Sequence, residues 1–103
     1  MNVKLIMYWN IRPGMDQEYF EFMVREWVPT TNALGLRTIA AWFTVYSRHQ
    51  DQARIMAEAI ADDLPTMRRV LKGSEWQSLH AKLLQYVKDY RQKVVYVTGD
   101  FQI

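Results

Sequence analysis

Residues 73–92 decide the predicted fold, and they read GSEWQSLHAKLLQYVKDYRQ. Ser74 stands at the start as a predicted N-cap, and Gln77 three residues later completes a capping box. Apolar side chains then recur at steps of three and four, at Trp76, Leu79, Leu83, Val87 and Tyr90. This spacing places an apolar stripe along one side of a helix. We therefore predict one amphipathic helix from Gly73 to Gln92, with His80 on its buried side.

The composition is that of one small, apolar domain. The 103 residues predict a single domain over 1–103, with a core of modest size. Half of the residues are hydrophobic, and four Trp, six Tyr and four Phe are among them. This is more apolar surface than one small core buries, so we expect some of it at an interface or in a pocket.

The charged residues and the absence of cysteine narrow the function classes. The net charge is +2, and the basic residues are scattered along the sequence, so we predict no nucleic-acid partner. The chain has no cysteine, which excludes disulfides and thiolate chemistry. The apolar run Leu5–Trp9 is too short for a signal-peptide core or a membrane span. We predict a cytoplasmic protein without a membrane partner.

The remaining helices and strands are predicted from hydrophobic periodicity and from turn-forming residues. Val3–Ile11 is predicted as a strand with apolar side chains on both faces. Alanines in the segment Ala53–Ala61 leave a helix open as the alternative to the favoured strand. The other predicted elements are a helix from the N-cap Asp16 that Pro29 kinks and Gly35 ends, a strand Leu36–Ser47, a short helix capped at Asp62–Asp63, and a last strand Val94–Ile103.

This order of elements predicts an α+β fold of the ferredoxin-like split βαβ type. A four-stranded antiparallel sheet would carry the helices on one face, because right-handed crossovers place them there. The strands have no polar face, so the second face also needs a cover. A second copy packed sheet against sheet about a two-fold axis supplies it, and we predict a homodimer.

Several motifs resemble the dimeric α/β-barrel superfamily, in particular its NIPSNAP-like and antibiotic-biosynthesis-monooxygenase-like members. The similar segments are residues 10–14 (NIRPG), 18–20 (EYF), 26–29 (EWVP), 35–37 (GLR) and 73–76 (GSEW). The resemblance implies two four-stranded sheets that form a barrel across a dimer, with helices outside. It also implies ligands in a cleft between each subunit's own sheet and helices. Members include cofactor-free oxygenases, haem-degrading monooxygenases, isomerases and dehydratases.

The haem-degrading branch is similar in two residues and departs in a third. It carries an asparagine on the first strand and an iron-ligating histidine four residues after an aromatic, which Asn10 and His80 after Trp76 match. Its tryptophan before the last helix would fall at Val70. The resemblance therefore disfavours haem, and we predict no cofactor and no metal site.

His80 and Asn10 are the predicted catalytic candidates. His80 could ligate a metal or transfer protons, and its alternative role is that of a histidine at the edge of the core. Glu58 could act as a base, and its alternative is an ion pair with Arg54 or Arg37. His49 lies in a polar loop and is predicted to be solvated.

A second set of candidates is aromatic. Tyr8, Trp42 and Tyr46 on strands could line a cleft in which an aromatic substrate stacks. The alternative is that these side chains face the dimer core. Trp76 is a candidate for substrate binding, with packing of helix on sheet as its alternative.

Two functional hypotheses remain open. The sequence lacks a Ser–His–Asp set and a glycine-rich phosphate loop, and its third strand lacks the aromatics of RNA-binding sheets. The first hypothesis is a homodimer with a non-catalytic role or a role in binding a small hydrophobic molecule. The second is a cofactor-free, monooxygenase-like enzyme that acts on an aromatic substrate, in which Tyr8, Asn10 and Trp42 shape the cleft and His80 assists.

Overall fold

The structure is a computed structural model that describes the backbone of residues 1–46 and 53–97 and the side chains of residues 1–39 and 55–97. The described chain runs from one strand through a helical segment to two strands, then through two helices to a last strand. In chain order they are β1 (Val3–Ile11), α1 (Asp16–Phe22), a π-turn (Met23–Trp27), α2 (Val28–Ala33), β2 (Arg37–Tyr46), β3 (Ala53–Ala61), α3 (Leu64–Lys72), α4 (Ser74–Leu83) and β4 (Val87–Tyr96).

The strands form one antiparallel sheet in the order β2-β3-β1-β4. The predicted ferredoxin-like fold with a four-stranded antiparallel sheet and helices on one face is confirmed. The strand interpretation of Ala53–Ala61 is also confirmed, because this segment pairs with both β1 and β2.

The core lies between the sheet and the helices. Alternate residues of β1 point into it and are at most 8% exposed, namely Val3, Leu5, Met7, Trp9 and Ile11. Opposite them on β3, Ala57, Ala59 and Ala61 are fully buried. The small alanine side chains give the large side chains of β1 and of the helices room to pack.

The second face of the sheet, here called the open face, is less well covered. Ile6 and Tyr8 on β1 are half-buried, and so are Met56 and Ile60 on β3. An ion pair lies among them, with Lys4 Nζ 3.5 Å from Glu58 Oε1. The open face is therefore a mixture of apolar and charged side chains.

Pro29 is accommodated by a change in helical hydrogen bonding. The N–H of Val28 donates to the carbonyl of Met23, which is the i to i+5 pattern of a π-turn. Pro29 follows in the first turn of α2, and the helix continues to Ala33. The prediction that Pro29 does not end the helix is confirmed, and the kink stays a prediction. The predicted N-cap at Asp16 is wrong, because α1 begins at Asp16 itself and no side chain caps it.

The start of α4 also differs from the prediction. Asp63 caps α3 as expected, with Oδ1 accepting from Thr66 N over 2.8 Å. At α4, however, Gly73 holds the cap position, and no side chain bonds there. Ser74 is already helical, so the capping box with Gln77 does not form.

The predicted helix from Gly73 to Gln92 is too long. The α4 helix ends at Leu83, and residues 87–96 form β4. The predicted strand Val94–Ile103 therefore overlaps β4 only at its end, and residues 98–103 lie outside the described part. The error has a physical cause in β4, where Val87 and Tyr90 both face the core although they are three residues apart.

A β-bulge in β4 explains this helical spacing. The register pairs Tyr8 with Arg91 and Asn10 with Lys88, so Asp89 and Tyr90 together oppose Trp9. Asp89 has a φ of 58°, in the left-handed region. The extra residue converts the two-residue period of a strand into a three-residue step at this point, which resembles a helix in the sequence.

Among the described helices, none combines the length and the apolarity that crossing a membrane requires.

Candidate functional site

An aromatic cluster fills the space between the sheet and the helices. Trp9 of β1 lies at its centre, with its ring centroid 6.4 Å from that of Tyr19 and 5.9 Å from that of Trp27, both in edge-to-face geometry. Tyr90 stacks on Trp9 with its centroid 5.9 Å away and an interplanar angle of 10°. The alternation of β1 and the bulge of β4 bring these rings together from four elements.

His80 extends this cluster from α4. Its ring stacks on Trp76, one turn earlier in the helix, with centroids 6.1 Å apart. It also meets Tyr90 edge to face at 4.4 Å. The predicted pairing of His80 with Trp76 is therefore present, and Tyr90 is a third partner from the sheet.

One nitrogen of His80 lies in the cluster without a partner. Nδ1 is buried, and no hydrogen-bond partner for it occurs in the part of the chain that the structure describes. Burial lowers the pKa of His80 below its ordinary value, because desolvation penalises the imidazolium. The imidazole is therefore neutral at pH 7. Depending on the tautomer, its Nδ1 can donate a hydrogen bond to a small molecule or accept one from it.

A second buried polar atom in the cluster, Nε1 of Trp27, also lacks a hydrogen-bond partner among the described residues. The Trp27 side chain is fully buried. Trp27 and His80 both lie beside Trp76, with ring centroids 6.3 Å and 6.1 Å from that of Trp76. The cluster thus holds an indole donor and an imidazole nitrogen that are both free to bond to an additional group.

The two tyrosines of the cluster are hydrogen-bonded. Trp9 Nε1 donates to the hydroxyl of Tyr19 over 3.0 Å, and burial raises the pKa of Tyr19 to about 12. The hydroxyl of Tyr90 donates to Gln92 Oε1 over 2.7 Å, and burial raises the pKa of Tyr90 as well. Both phenols stay neutral at physiological pH, so the whole cluster is uncharged.

The structure does not place Asn10 with His80. Asn10 is 4% exposed, and its Nδ2 donates to Asp89 Oδ2 over 3.0 Å. It follows Trp9 on β1, and successive side chains of a strand point to opposite faces. Because Trp9 points into the aromatic cluster, Asn10 points away from it.

Tyr8 lies on the open face by the same alternation. It is half-buried there, opposite Met56 on one side and Arg91 on the other. Of the predicted substrate-binding residues, Trp76 is therefore beside His80 and Tyr8 is not. The register of β2 pairs Trp42 with Met56, and Tyr46 is the last residue of this strand. The side chains of Trp42 and Tyr46 lie outside the described residues, as does His49.

Glu58 is held in an ion pair, as one of its two predicted roles required. Its partner is Lys4. The side chain of Arg54, one of the two predicted partners, lies outside the described residues. Arg37 instead donates from Nη1 to Asp62 Oδ1 over 2.9 Å. Lys4 pairs because it lies diagonally across from Glu58 on the neighbouring strand, a contact that depends on register.

The basic residues of β4 are less scattered in space than in the sequence. Lys88, Arg91 and Lys93 lie opposite Asn10, Tyr8 and Ile6 of β1. Directly opposed residues of antiparallel strands share a face, so all three cations lie on the open face. We call Lys88, Arg91 and Lys93 the basic strip. The bulge that brings Lys88 and Arg91 to one side is not visible in the sequence.

Two grooves of the described part lie away from His80. One groove of about 440 Å³ runs between α4 and the π-turn, and Glu26 and Lys82 form an ion pair across it. Another of about 290 Å³ lies between α3 and β4 and is mainly apolar. His80 lines neither groove. Among the described residues, no group of three or more His, Asp or Glu could hold a metal ion.

Sequence reasoning missed Trp9, Tyr19 and Tyr90 as members of the cluster around His80. The sequence pattern predicts a helix through Tyr90. The β-branched residues in the following segment, 94–97, favour a strand and could have indicated that this strand begins before residue 94. Trp9 and Tyr19 carried no signal beyond burial, because which rings meet depends on the tertiary packing.

Comparisons with known proteins reveal the fold and no closer relationship. No protein-family model matches the sequence, and no curated protein matches it either. Among solved structures, an uncharacterised NIPSNAP-like domain protein from Burkholderia xenovorans superposes with a TM-score of 0.70 at 18% identity, over 99% of this chain and 89% of that one.

Two further solved structures are similar over their whole length. An ethyl tert-butyl ether d (ethd) family protein from Bacillus halodurans has a TM-score of 0.70 at 20% identity, over 95% of this chain and 100% of that one. SnoaB, a cofactor-independent oxygenase from Streptomyces nogalater whose structure is that of a mutant, has a TM-score of 0.64 at 15% identity, over 93% and 92%. These likenesses confirm the ferredoxin-like fold of the single chain that the sequence resemblance implied.

Proposed function

We propose that this protein is a homodimeric α/β barrel that binds a small hydrophobic molecule beside His80, without necessarily reacting with it. The observation that carries the ligand proposal is the buried Nδ1 of His80, which has no hydrogen-bond partner in the described part of the chain. A buried polar group that stays unbonded costs about 1–3 kcal/mol, so a bound group that satisfies it is favoured.

The surroundings of this nitrogen support an aromatic ligand. His80 lies between Trp76 and Tyr90, and the indole donor of Trp27 lies beyond Trp76. Flat rings stack or meet edge to face with such neighbours, and one hydroxyl or carbonyl oxygen could bond to the imidazole. Because His80 lines neither described groove, we expect its partly exposed imidazole to swing aside as the ligand enters and then to bond to the ligand through Nδ1.

The open face supports the homodimer. Ile6, Tyr8, Met56 and Ile60 are half-buried in the single chain, and a second sheet would remove them from water. Burial of apolar surface yields roughly 25 cal/mol per Å², which favours covering this face. A two-fold axis between the two sheets makes the same residues contact their own copies.

Light scattering at micromolar concentration tests the dimer. We expect twice the chain mass of 12.3 kDa. Ile6→Glu places a charge on the open face and should give a folded monomer, with circular dichroism as the check on folding. The matched control is Val24→Glu, because Val24 is 72% exposed on the helical side. A wild-type mass of a single chain, or an equal effect of both substitutions, would contradict the dimer.

Nuclear magnetic resonance of the histidine ring tests the ligand site. We use 2-naphthol as the probe, since it combines a flat apolar body with one hydroxyl. Saturable shifts of the His80 ring resonances are expected in the wild type. His80→Ala should weaken the binding that is measured by tryptophan fluorescence, and Tyr96→Ala, at an exposed position of β4, should not. Unchanged His80 resonances at saturating naphthol would refute this site.

A cofactor-free oxygenase is the second candidate, and the neutral His80 favours it. An imidazole whose pKa is lowered by burial is unprotonated and could take a proton from a phenolic substrate. The fold shared with SnoaB is compatible with this chemistry but carries no residue roles at 15% identity. Oxygen uptake with 1-naphthol in metal-free buffer, abolished in His80→Ala, would support it. Uptake that is equal in both proteins would exclude a role of His80.

Haem is disfavoured by the residues present. Val70, where the haem-degrading branch has a tryptophan, is 7% exposed and belongs to the core. His80 borders neither of the two grooves described above. A haem titration that produces no Soret shift dependent on His80 is the expected result.

The lack of cysteine supports the cytoplasm as the proposed location.

A further inference from the structure

The basic strip has a geometry that only the bulge of β4 creates. Lys88 and Arg91 are three residues apart, so in a regular strand they would point to opposite faces. The extra residue at Asp89 restores them to the same face, and Lys93 follows two residues after Arg91. Three cations therefore line one edge of the open face.

The nearby carboxylates neutralise this strip only in part. Glu58 of the open face is already paired with Lys4, and the carboxylate of Asp62 is paired with Arg37. Asp89 lies within the strip and accepts a hydrogen bond from Asn10. None of the three ion pairs found among the described residues includes Lys88, Arg91 or Lys93. The strip carries three positive charges against the one negative charge of Asp89.

The neighbouring strand supplies an apolar and a hydrogen-bonding surface beside these charges. Tyr8 lies opposite Arg91, and Ile6 lies opposite Lys93, both half-buried. Positions two apart in a strand are about 6.8 Å apart along the chain, so side chains of Arg91 and Lys93 can converge on one group of phosphate size. Guanidinium binds carboxylate and phosphate oxygens in a bidentate way, and a lysine adds a point charge.

We propose that the basic strip is a binding site for a small oxyanion, a phosphate or carboxylate group, carried by a molecule whose apolar part lies over Ile6 and Tyr8. Charge complementarity selects the anion, and the flanking apolar side chains select a ligand with a hydrophobic body. Arg91 and Lys93 bind the oxyanion directly, and Lys88 adds long-range attraction from the other side of the bulge.

This site is separate from His80, which lies on the helical side of the sheet. It does lie on the face that the proposed homodimer would cover. In a dimer the apolar part of the ligand would therefore lie between Ile6 and Tyr8 of one subunit and the second sheet, with its oxyanion at the edge strand β4. The experiment therefore measures anion binding and molecular mass on the same samples. A monomer that binds the anion contradicts the dimer alone, and a dimer that does not bind it contradicts the present inference alone.

Isothermal titration calorimetry at 150 mM salt tests the site, with phenyl phosphate, benzoate and inorganic phosphate as separate probes. We expect saturable binding of phenyl phosphate or benzoate, and weaker binding of inorganic phosphate, which lacks the apolar body. The first two probes distinguish a phosphate from a carboxylate ligand. The triple variant Lys88→Gln, Arg91→Gln, Lys93→Gln should bind these probes at least roughly tenfold more weakly than the wild type, because it loses charge-assisted hydrogen bonds.

The matched control is Arg68→Gln, Arg69→Gln, Lys72→Gln, which removes the same charge from exposed positions of α3. It should bind as the wild type does. Equal weakening in both triple variants would show general electrostatic attraction and overturn the proposal, as would the absence of saturable binding of all three probes. If the first triple variant does not fold, the single variant Lys93→Gln replaces it, and chemical shifts are mapped as phenyl phosphate is added. Shift changes outside β1 and β4 would contradict the site.

Discussion

Asn10 donates a hydrogen bond from Nδ2 to Oδ2 of Asp89 over 3.0 Å, and this bond joins a central strand to the bulge of an edge strand. The bulge has two consequences for function. It turns Tyr90 towards Trp9 and His80, and it places Lys88 on the open face with Arg91. The candidate site and the basic strip therefore depend on the same backbone irregularity.

Substitution of Asp89 tests the importance of the bulge for stability. Its φ of 58° is unfavourable for a β-branched residue, so Asp89→Val should lower the free energy of unfolding by about 1–3 kcal/mol. Asp89→Gly loses the bond to Asn10 but relieves the backbone, and we expect a net change within about 1 kcal/mol. Urea denaturation measures both. Lys93→Val, at an exposed regular position of the same strand, is the control, and equal losses for Val and Gly at position 89 would refute the strain argument.

Removal of the Tyr19 hydroxyl tests the hydrogen bond of the Trp9 indole. In Tyr19→Phe the buried Nε1 of Trp9 loses its acceptor, so stability should fall by about 1–3 kcal/mol. Tyr96→Phe is the control, because Tyr96 is 57% exposed. Burial raises the pKa of both Tyr19 and Tyr90, so two tyrosines should ionise late in ultraviolet titration of the wild type. Tyr19→Phe should lose the step near pH 12. Its persistence would mean that another tyrosine is responsible.

The lowered pKa of His80 makes stability depend on pH in a definite direction. The unfolded chain binds a proton at His80 near its usual pKa of 6.5, whereas the folded protein binds it only at lower pH. The unfolded state therefore holds more protons between these two values, and stability must fall as the pH drops below 6.5. Unfolding free energies measured from pH 7.5 to 5 should decline less steeply in His80→Gln. Parallel profiles for the two proteins would show that the pKa of His80 is not lowered.

Overpacking of β3 tests the need for alanine beneath the helices. Ala57 is fully buried opposite Met7, so Ala57→Leu should cost about 1–3 kcal/mol. Ala33→Leu, at an exposed position near the end of α2, should change stability by less than about 0.5 kcal/mol. Thermal unfolding compares the two variants. A tolerated leucine at position 57 would imply that the space above β3 is not filled.

Much of the fold was predictable, because periodicity reports burial directly. The alternation in Val3–Ile11 predicted a central strand, and the turn signals around Asp63 and Gly35 predicted the ends of two helices. The prediction went wrong where one irregular residue changed the period, at Asp89. Of the site, His80 and its stacking on Trp76 were predictable because both lie on one helix. Tyr90 was not, since its contact with His80 joins two elements that the sequence pattern had merged into one.

The sequence by itself determined the order of elements, the two apolar faces of the strands and the residues whose side chains can take part in binding or catalysis. These features follow from local spacing and side-chain chemistry. Only the tertiary structure decided that Asn10 and His80 belong to opposite faces of the sheet, that Glu58 pairs with Lys4, and that Lys88, Arg91 and Lys93 form one strip. The physical reason is that strand register and a single left-handed residue set which side chains meet, and neither leaves a signal in residue type alone.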